Sequence, residues 1–211
     1  MDKKVETRRF VERLKTIRPY EALGKCLAGK YGYDIDTYLA IMHYVEDGKI
    51  MNNDFQSMFV SYYFGNSRTE KTLEWRKEYF KIFDDALKAF RDNFISKYAS
   101  YDYLLKKVSN IQDRRYVEKS LTSKMVHSIN SRTPIIDEHV CQFLDFRVDD
   151  ADYEQKLHNV IEEYGCVSDA YRFFLDIPEG KICIEAFDEW LPDYAGRISD
   201  FKKLDYLIWG M

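Results

Sequence analysis

Apolar residues recur along most of this chain at spacings of three and four positions, the periodicity of helices that bury one face. The clearest run follows Thr72, and we expect it to form the longest helix. Its apolar members are Leu73, Trp75, Tyr79, Phe80, Phe83, Leu87, Phe90 and Phe94. No segment alternates apolar and polar residues over the length of a strand. The pattern therefore predicts an all-α protein with ten to eleven helices.

Capping residues and prolines set the expected ends of these helices. The first apolar stripe begins at Val5 and predicts a helix over residues 3–17, and Pro19 is placed to begin the next helix. Asp34 and Asp36 precede an apolar run and indicate the beginning of a further helix, and Ser199 is the expected N-cap of the last helix. Other helices are expected over residues 100–110, 114–129, 151–164 and 166–175.

The composition supports a folded core. Hydrophobic residues make up 45% of the 211 positions and aromatic residues 16%, which excludes wholesale disorder. The small numbers of prolines (4) and glycines (9) favour long helices over a sandwich or a barrel. The length allows one large domain or two small lobes.

Charge and cysteine usage narrow the class of protein. The net charge is −4 and the pI about 5.7, whereas nucleic-acid-binding proteins are usually basic on at least one face. There is no apolar run of roughly 18 residues and no apolar signal core, so we expect a cytoplasmic protein that does not contact a membrane. Four scattered cysteines without a CxxC spacing predict buried free thiols. Neither a metal site, an iron–sulfur cluster nor another cofactor is expected.

The most informative stretch is SKMVHSINSRTPIIDEHV, residues 123–140, which places Lys124, Asp137 and His139 around one short break at Asn130–Pro134. Each of the three has an ordinary structural explanation. Asp137 is placed to cap the helix that follows it, and Lys124 to extend along the flank of its own helix into solvent. His139 is placed to pack against neighbouring side chains.

The same residue types also support chemistry on a sugar. A helix N-terminus stabilises the ionised form of a carboxylate, and a fixed, ionised carboxylate stabilises an oxocarbenium-like transition state. A lysine that is partly removed from water serves as a nucleophile toward an anomeric carbon. Two interpretations therefore stay open for this stretch: residues that end and cap helices, or a catalytic pair.

The order of lysine, helix, turn and Asp-x-His-Val resembles the helix-hairpin-helix DNA glycosylases, the superfamily of endonuclease III and the oxidised-guanine glycosylases. Ser123-Lys124-Met125 stands where that family has Lys-Thr-Ala or Lys-Val-Ala, and Pro134–Val140 matches its aspartate segment. The resemblance covers about residues 120–146. It implies a single all-α domain over residues 1–211 that is built as two lobes, with the cleft near residues 120–140.

For function, the resemblance implies DNA repair by excision of a damaged base from double-stranded DNA. Lys124 would be the nucleophile that displaces the base, with or without a lyase step. Asp137 would be the carboxylate that assists it, and His139 a supporting residue.

Two further features bear on substrate binding. The aromatic residues Tyr62, Tyr63 and Phe64 precede a glycine turn at Gly65, where they could stack on a flipped base or pack a helix end into the core. Six basic residues are candidate phosphate contacts or parts of solvated faces: Lys3, Lys4, Arg8, Arg9, Arg114 and Arg115.

Two alternatives to an enzyme also follow from the sequence. The place of the family's Leu-Pro-Gly-Val-Gly hairpin reads Glu118–Ser123 here, without the glycines that let backbone amides approach a DNA phosphate. This difference and the acidic pI favour a non-catalytic binding protein on the same helical scaffold. The 17 tyrosines and 14 phenylalanines favour, as a third interpretation, a helical interaction or oligomerisation protein.

Overall fold

The computed structural model describes residues 2–27, 34–64, 71–93, 96–113, 116–146 and 152–211, and helix is the only regular secondary structure within these ranges. They contain eleven α-helices and no strand, which confirms the all-α prediction. The helices are α1 (Lys3–Leu14), α2 (Pro19–Leu27), α3 (Ile35–Glu46), α4 (Asn53–Tyr63), α5 (Leu73–Asp92), α6 (Tyr101–Ser109), α7 (Lys119–Ile129), α8 (Glu138–Leu144), α9 (Tyr153–Asp176), α10 (Pro178–Trp190) and α11 (Asp200–Trp209).

Side-chain caps are present at the expected helix starts. The Asp34 carboxylate accepts a hydrogen bond from the Thr37 amide at 2.9 Å, and the Ser199 hydroxyl accepts one from the Lys202 amide at 3.2 Å. Pro19 is the first residue of α2, as predicted. Because these side chains satisfy amides that have no partner inside the helix, they fix where each helix begins.

The expectation for the longest helix was wrong. The segments 151–164 and 166–175 form one helix, α9, which continues through Gly165 and has 24 residues, compared with 20 for α5. An isolated glycine costs a helix only about 1 kcal/mol relative to alanine, so the helical pattern on both sides of Gly165 outweighs it. Phe94, the last aromatic residue of the run expected in α5, lies outside the described residues.

Two other expected helix limits also differ. Helix α7 begins at Lys119 rather than at residue 114, because the amide of Glu118 donates to the Ser109 hydroxyl at 3.0 Å and residues 116–118 are not helical. Helix α1 ends at Leu14. Val5 is 60% exposed, since it lies five residues before the buried Phe10 and therefore well around the helix from it.

The chain divides into two compact units. Unit 1 consists of Met1–Tyr33, Ser131–Ala151 and His158–Met211, and unit 2 of Asp34–Asn130 and Asp152–Leu157. Helix α9 therefore contributes its first residues to unit 2 and the remainder to unit 1.

Unit 1 is organised around α11, whose residues from Phe201 to Ile208 are all buried. Helix α11 packs against α2, α8 and α10. The close approach to α2 requires a glycine, since a Cβ at Gly210 would lie 2.2 Å from the carbonyl oxygen of Ala22. The buried lysines of α11 are neutralised within the unit, Lys202 by Asp205 at 2.6 Å and Lys203 by Asp188 at 2.8 Å.

Unit 2 is built on an aromatic cluster between α4 and α5. The fully buried ring of Phe59 lies 4.7–6.4 Å from the rings of Phe55, Tyr63, Phe64, Tyr79, Phe80 and Phe83. Helix α7, which carries Lys124, packs against α3, α5 and α6. The position of Lys124 is therefore set by the core of unit 2.

Candidate functional site

Lys124 lies on α7 in unit 2, with its side chain half-buried against the end of α4. Its Nζ donates a hydrogen bond to the carbonyl oxygen of Tyr63 at 2.9 Å and lies 5.7 Å from the centroid of the Tyr63 ring. Tyr63 is the last residue of α4, so its carbonyl stands at the negative end of the helix dipole, where a cation is stabilised. Two candidate site residues that are 61 positions apart in the sequence therefore meet in the fold.

The aromatic segment beside Lys124 is mostly part of the core. Tyr63 and Phe64 are 5% and 3% exposed, and the Tyr63 ring lies 4.7 Å from that of Phe59. Tyr62 is partly exposed, with its ring edge-on to Tyr63 at 4.7 Å. Of the three aromatic residues, Tyr62 is therefore the one with ring surface accessible to a base, whereas Tyr63 and Phe64 pack the helix end into the core. Gly65 lies outside the described residues.

Asp137 caps α8 in unit 1, as predicted. Its Oδ1 accepts a hydrogen bond from the Val140 amide at 3.0 Å, and the residue is 6% exposed. The bond and the burial together hold the carboxylate in one orientation.

The charge of Asp137 reaches a buried tyrosine. Burial, followed by the charges of Asp205 and Asp137, holds the pKa of the Tyr171 hydroxyl well above its ordinary value. Tyr171 and Asp205 thus belong to the surroundings of the candidate carboxylate. The sequence held no signal for them, because they come from α9 and α11, far along the chain.

His139 packs against the last residue of α11. Its ring centroid lies 3.9 Å from that of Trp209, with 33° between the two planes. A second histidine, buried His127, lies three residues after Lys124 on α7 and has its Nε2 3.1 Å from the hydroxyl of Tyr38. Because both histidines are held by neighbouring side chains, packing accounts for their placement.

A buried ion pair anchors the beginning of α7. The Glu118 carboxylate pairs with the Lys71 ammonium, and both side chains are 8% exposed. The Lys71 Nζ also lies 4.7 Å from the ring centroid of Trp75 and 5.4 Å from that of Tyr116. These contacts fix the chain at the start of α7 through side chains. Arg114 and Arg115 lie outside the described residues.

The candidate residues are divided between the two units. Lys124 belongs to unit 2, whereas Asp137 and His139 belong to unit 1, and the chain passes from one unit to the other between Asn130 and Ser131. The pairing of Lys124 with Asp137 stays a prediction.

The four cysteines are free and buried, as predicted. Burial raises the pKa of the Cys183 thiol to about 11, and burial together with the charge of Asp205 does the same for Cys26. A thiol whose pKa is raised in this way is a poor nucleophile at neutral pH. Cys26 and Cys183 therefore act as apolar core residues.

No protein-family model, curated protein or solved structure matches this chain. Within the described ranges, no three His, Cys, Asp or Glu side chains are grouped so that they could hold a metal ion. None of the described helices combines the length and apolar character needed to cross a bilayer. The functional interpretation therefore depends on the side-chain arrangement itself.

Proposed function

We propose that this protein is a divergent DNA glycosylase-like enzyme that excises a damaged base through Lys124, assisted by Asp137. The observation that carries the proposal is the meeting of Lys124 with the end of α4, which places an amine on the Tyr63 carbonyl and 5.7 Å from the Tyr63 ring. The Tyr63 ring in turn lies 4.7 Å from the partly exposed ring of Tyr62. A nucleophile beside an aromatic ring suits a flipped nucleotide, because the ring can stack on the base while the amine reaches the sugar.

In the proposed reaction the Lys124 ammonium, which the end of α4 stabilises, first gives a proton to water and becomes a neutral amine. The Nζ attacks C1′ of the flipped nucleotide, the C1′–N bond breaks, and its electron pair leaves with the base, which takes a proton from water. The amine then loses a proton, the sugar ring opens between C1′ and O4′, and O4′ is protonated. The product is a Schiff base between Nζ and C1′. The Asp137 carboxylate would offset the positive charge that develops on the sugar, and its orientation by the helix cap supports that role.

Borohydride trapping tests the proposal on duplexes that carry a panel of damaged bases. Wild-type protein should form a covalent adduct with at least one duplex. Lys124→Arg is the informative variant, since arginine can still donate to the Tyr63 carbonyl but cannot form the imine, so it should fold normally and form no adduct. Lys106→Ala, which removes an exposed lysine of α6 in the same unit, should trap as wild type does.

Base release is measured in parallel, because a glycosylase without a lyase step forms no imine that borohydride can trap. Alkaline cleavage of the abasic product detects that activity. If folded wild-type protein gives neither adduct nor base release on any duplex, the proposed enzyme activity is contradicted.

A second candidate function is a non-catalytic binding protein on the same helical scaffold. It is favoured by the contacts of α7, where the Lys71–Glu118 ion pair fixes the helix start and Lys124 ties the helix to α4. In that case Lys124 has a structural role, and Lys124→Arg should equal wild type in every binding and stability measurement. Base excision that depends on Lys124 would rule this candidate out.

A further inference from the structure

A groove in unit 1 lies between α1 and α9 and has a volume of about 560 Å³, within the range of ligand sites. Cationic side chains of α1 line it, together with an apolar surface from Val11 and Phe173. None of the candidate catalytic residues belongs to the groove.

The groove carries a local excess of positive charge. Lys3, Lys4 and Arg8 are exposed and have no carboxylate partner among the described residues. The two acidic residues of the lining are already neutralised, Glu12 by Lys15 at 3.0 Å and Asp169 by Arg172 at 3.3 Å. In a protein with a net charge of −4, three unneutralised cations along one groove give this groove a positive local potential, which attracts anions.

Arg9 shows that this charge arrangement is specific to one face of α1. Its guanidinium pairs with Glu6 at 2.7 Å and with Asp145 at 3.4 Å. Arg9 is absent from the groove lining, although it directly follows Arg8. The basic residues near the N-terminus therefore divide into groove residues and a residue that serves packing within unit 1.

The apolar side of the groove offers an aromatic ring. Phe173 on α9 is 55% exposed, whereas Val11, which also lines the groove, is 4% exposed. An exposed aromatic ring beside unneutralised cations is the combination by which proteins hold single-stranded nucleic acid, with a base on the ring and phosphates on the cations.

We propose that this groove binds one strand of nucleic acid, with its phosphates on Lys3, Lys4 and Arg8 and one base stacked on Phe173. The inference goes beyond base excision, because it assigns a binding site whose residues are separate from Lys124 and Asp137.

The charge component is tested by fluorescence anisotropy with the full chain and a labelled 12-nucleotide DNA strand at several salt concentrations. The triple variant Lys3→Gln, Lys4→Gln, Arg8→Gln should bind more weakly, and its plot of log K against log salt should be shallower by about 2, since each phosphate contact contributes about 0.7 on single strands. The matched control replaces three exposed lysines of unit 2, Lys77, Lys81 and Lys106, by glutamine. Equal weakening in the control would overturn the proposal.

The stacking component is tested at Phe173. Phe173→Leu keeps an apolar side chain but removes the ring, and it should weaken binding about tenfold. Phe173→Trp, which keeps an aromatic ring, should bind the strand as tightly as wild type does. Ile182→Ala, at a position that is also 55% exposed, should have no effect. A strand without bases should bind wild type and Phe173→Leu equally.

Two other outcomes would also overturn the proposal. One is that polyglutamate displaces the strand at equal charge concentration while Phe173→Leu has no effect, which would indicate an acidic peptide as the ligand. The other is an absence of strand binding at low salt by folded wild-type protein. Strand binding should persist in Lys124→Arg, so loss of excision and loss of groove binding are separately measurable.

Discussion

The buried ion pair at the start of α7 leads to a quantitative prediction: removing one partner should be far more destabilising than replacing both. Lys71 and Glu118 are each 8% exposed, and the Lys71 ammonium also faces the rings of Trp75 and Tyr116. Glu118 directly precedes α7, so the pair helps to place the helix that carries Lys124.

The magnitudes follow from the burial of both charges. A single variant, Lys71→Met or Glu118→Met, leaves one buried charge uncompensated and should lower the free energy of unfolding by about 3–5 kcal/mol. Lys71→Met should lose about 0.5–2 kcal/mol more, because it also removes the cation–π contacts. The double methionine variant contains two flexible apolar side chains of similar length, so it should fall within about 1 kcal/mol of wild type.

Urea unfolding followed by tryptophan fluorescence and circular dichroism measures these differences, with Trp75 as a probe beside the pair. The control is the Asp84–Lys88 pair of α5, in which Lys88 is 67% exposed, so both single variants and the double should stay close to wild type. The reasoning is refuted if the Lys71→Met, Glu118→Met double variant is as unstable as the sum of its single variants, within about 0.5 kcal/mol.

Further predictions concern buried hydroxyls, buried thiols and the helix cap. The Tyr171 hydroxyl has no hydrogen-bond partner among the described residues, so Tyr171→Phe should raise the free energy of unfolding by about 1 kcal/mol. The Tyr79 hydroxyl donates to a backbone carbonyl at 2.9 Å, so Tyr79→Phe should lower the free energy of unfolding by about 1 kcal/mol. Thermal unfolding measures both changes. Burial raises the pKa of both hydroxyls well above 10, so the stability that their neutral forms contribute is fully present below pH 10 and is lost as the pH rises above it. Unfolding followed by circular dichroism above pH 10 should show this loss of stability, and the loss should be smaller in either phenylalanine variant. With thiol pKa values of about 11, Cys26 and Cys183 are about one part in a thousand thiolate at pH 8, and a thiol reagent should label them at least about a hundredfold more slowly in the native protein than in urea. Asp137→Ala should lower the free energy of unfolding by about 1 kcal/mol through loss of the cap, whereas Asp137→Asn should retain the cap. If the carboxylate assists excision, both variants should be inactive in base-release assays.

The helices could be predicted from the sequence because their signals are local. Caps at Asp34, Asp137 and Ser199 act on amides two or three residues away, and apolar periodicity acts within a few turns. The failures had the same local origin. Gly165 costs helix α9 only about 1 kcal/mol and does not end it, and Val5 lies too far around α1 from Phe10 to share its buried stripe.

The abundance of aromatic residues has an explanation in the cores of the two units. In the described part of the chain, the twelve largest fully buried side chains are all aromatic, and many of them belong to the cluster around Phe59. Packing inside the units therefore accounts for much of the aromatic content, and the interpretation as an oligomerisation protein stays a prediction. Five aromatic side chains within the described ranges are at least 43% exposed: Tyr20, Tyr98, Tyr116, Phe173 and Trp190.

The partners of charged residues could not be predicted, because the sequence does not encode which distant side chain neutralises a buried charge. Lys202 and Lys203 lie in an apolar helix, where a lysine is ordinarily expected to extend its ammonium to water, yet both are 3% exposed and paired with carboxylates. The partner of Lys71 is 47 residues away along the chain. Only the packing of helices brings such pairs together.

Lys124 illustrates the same limit at the candidate site. Its position beside an apolar stripe was compatible with a surface lysine, but the fold holds it half-buried on the carbonyl at the end of α4. That bond is consistent with a structural tie and equally with an oriented nucleophile, since an amine donates to a carbonyl in either role. The two roles differ in what an arginine can replace: a guanidinium can restore the hydrogen bond and the charge but cannot form a Schiff base. The comparison of lysine with arginine at this position therefore separates the function of Lys124 from its contribution to the fold.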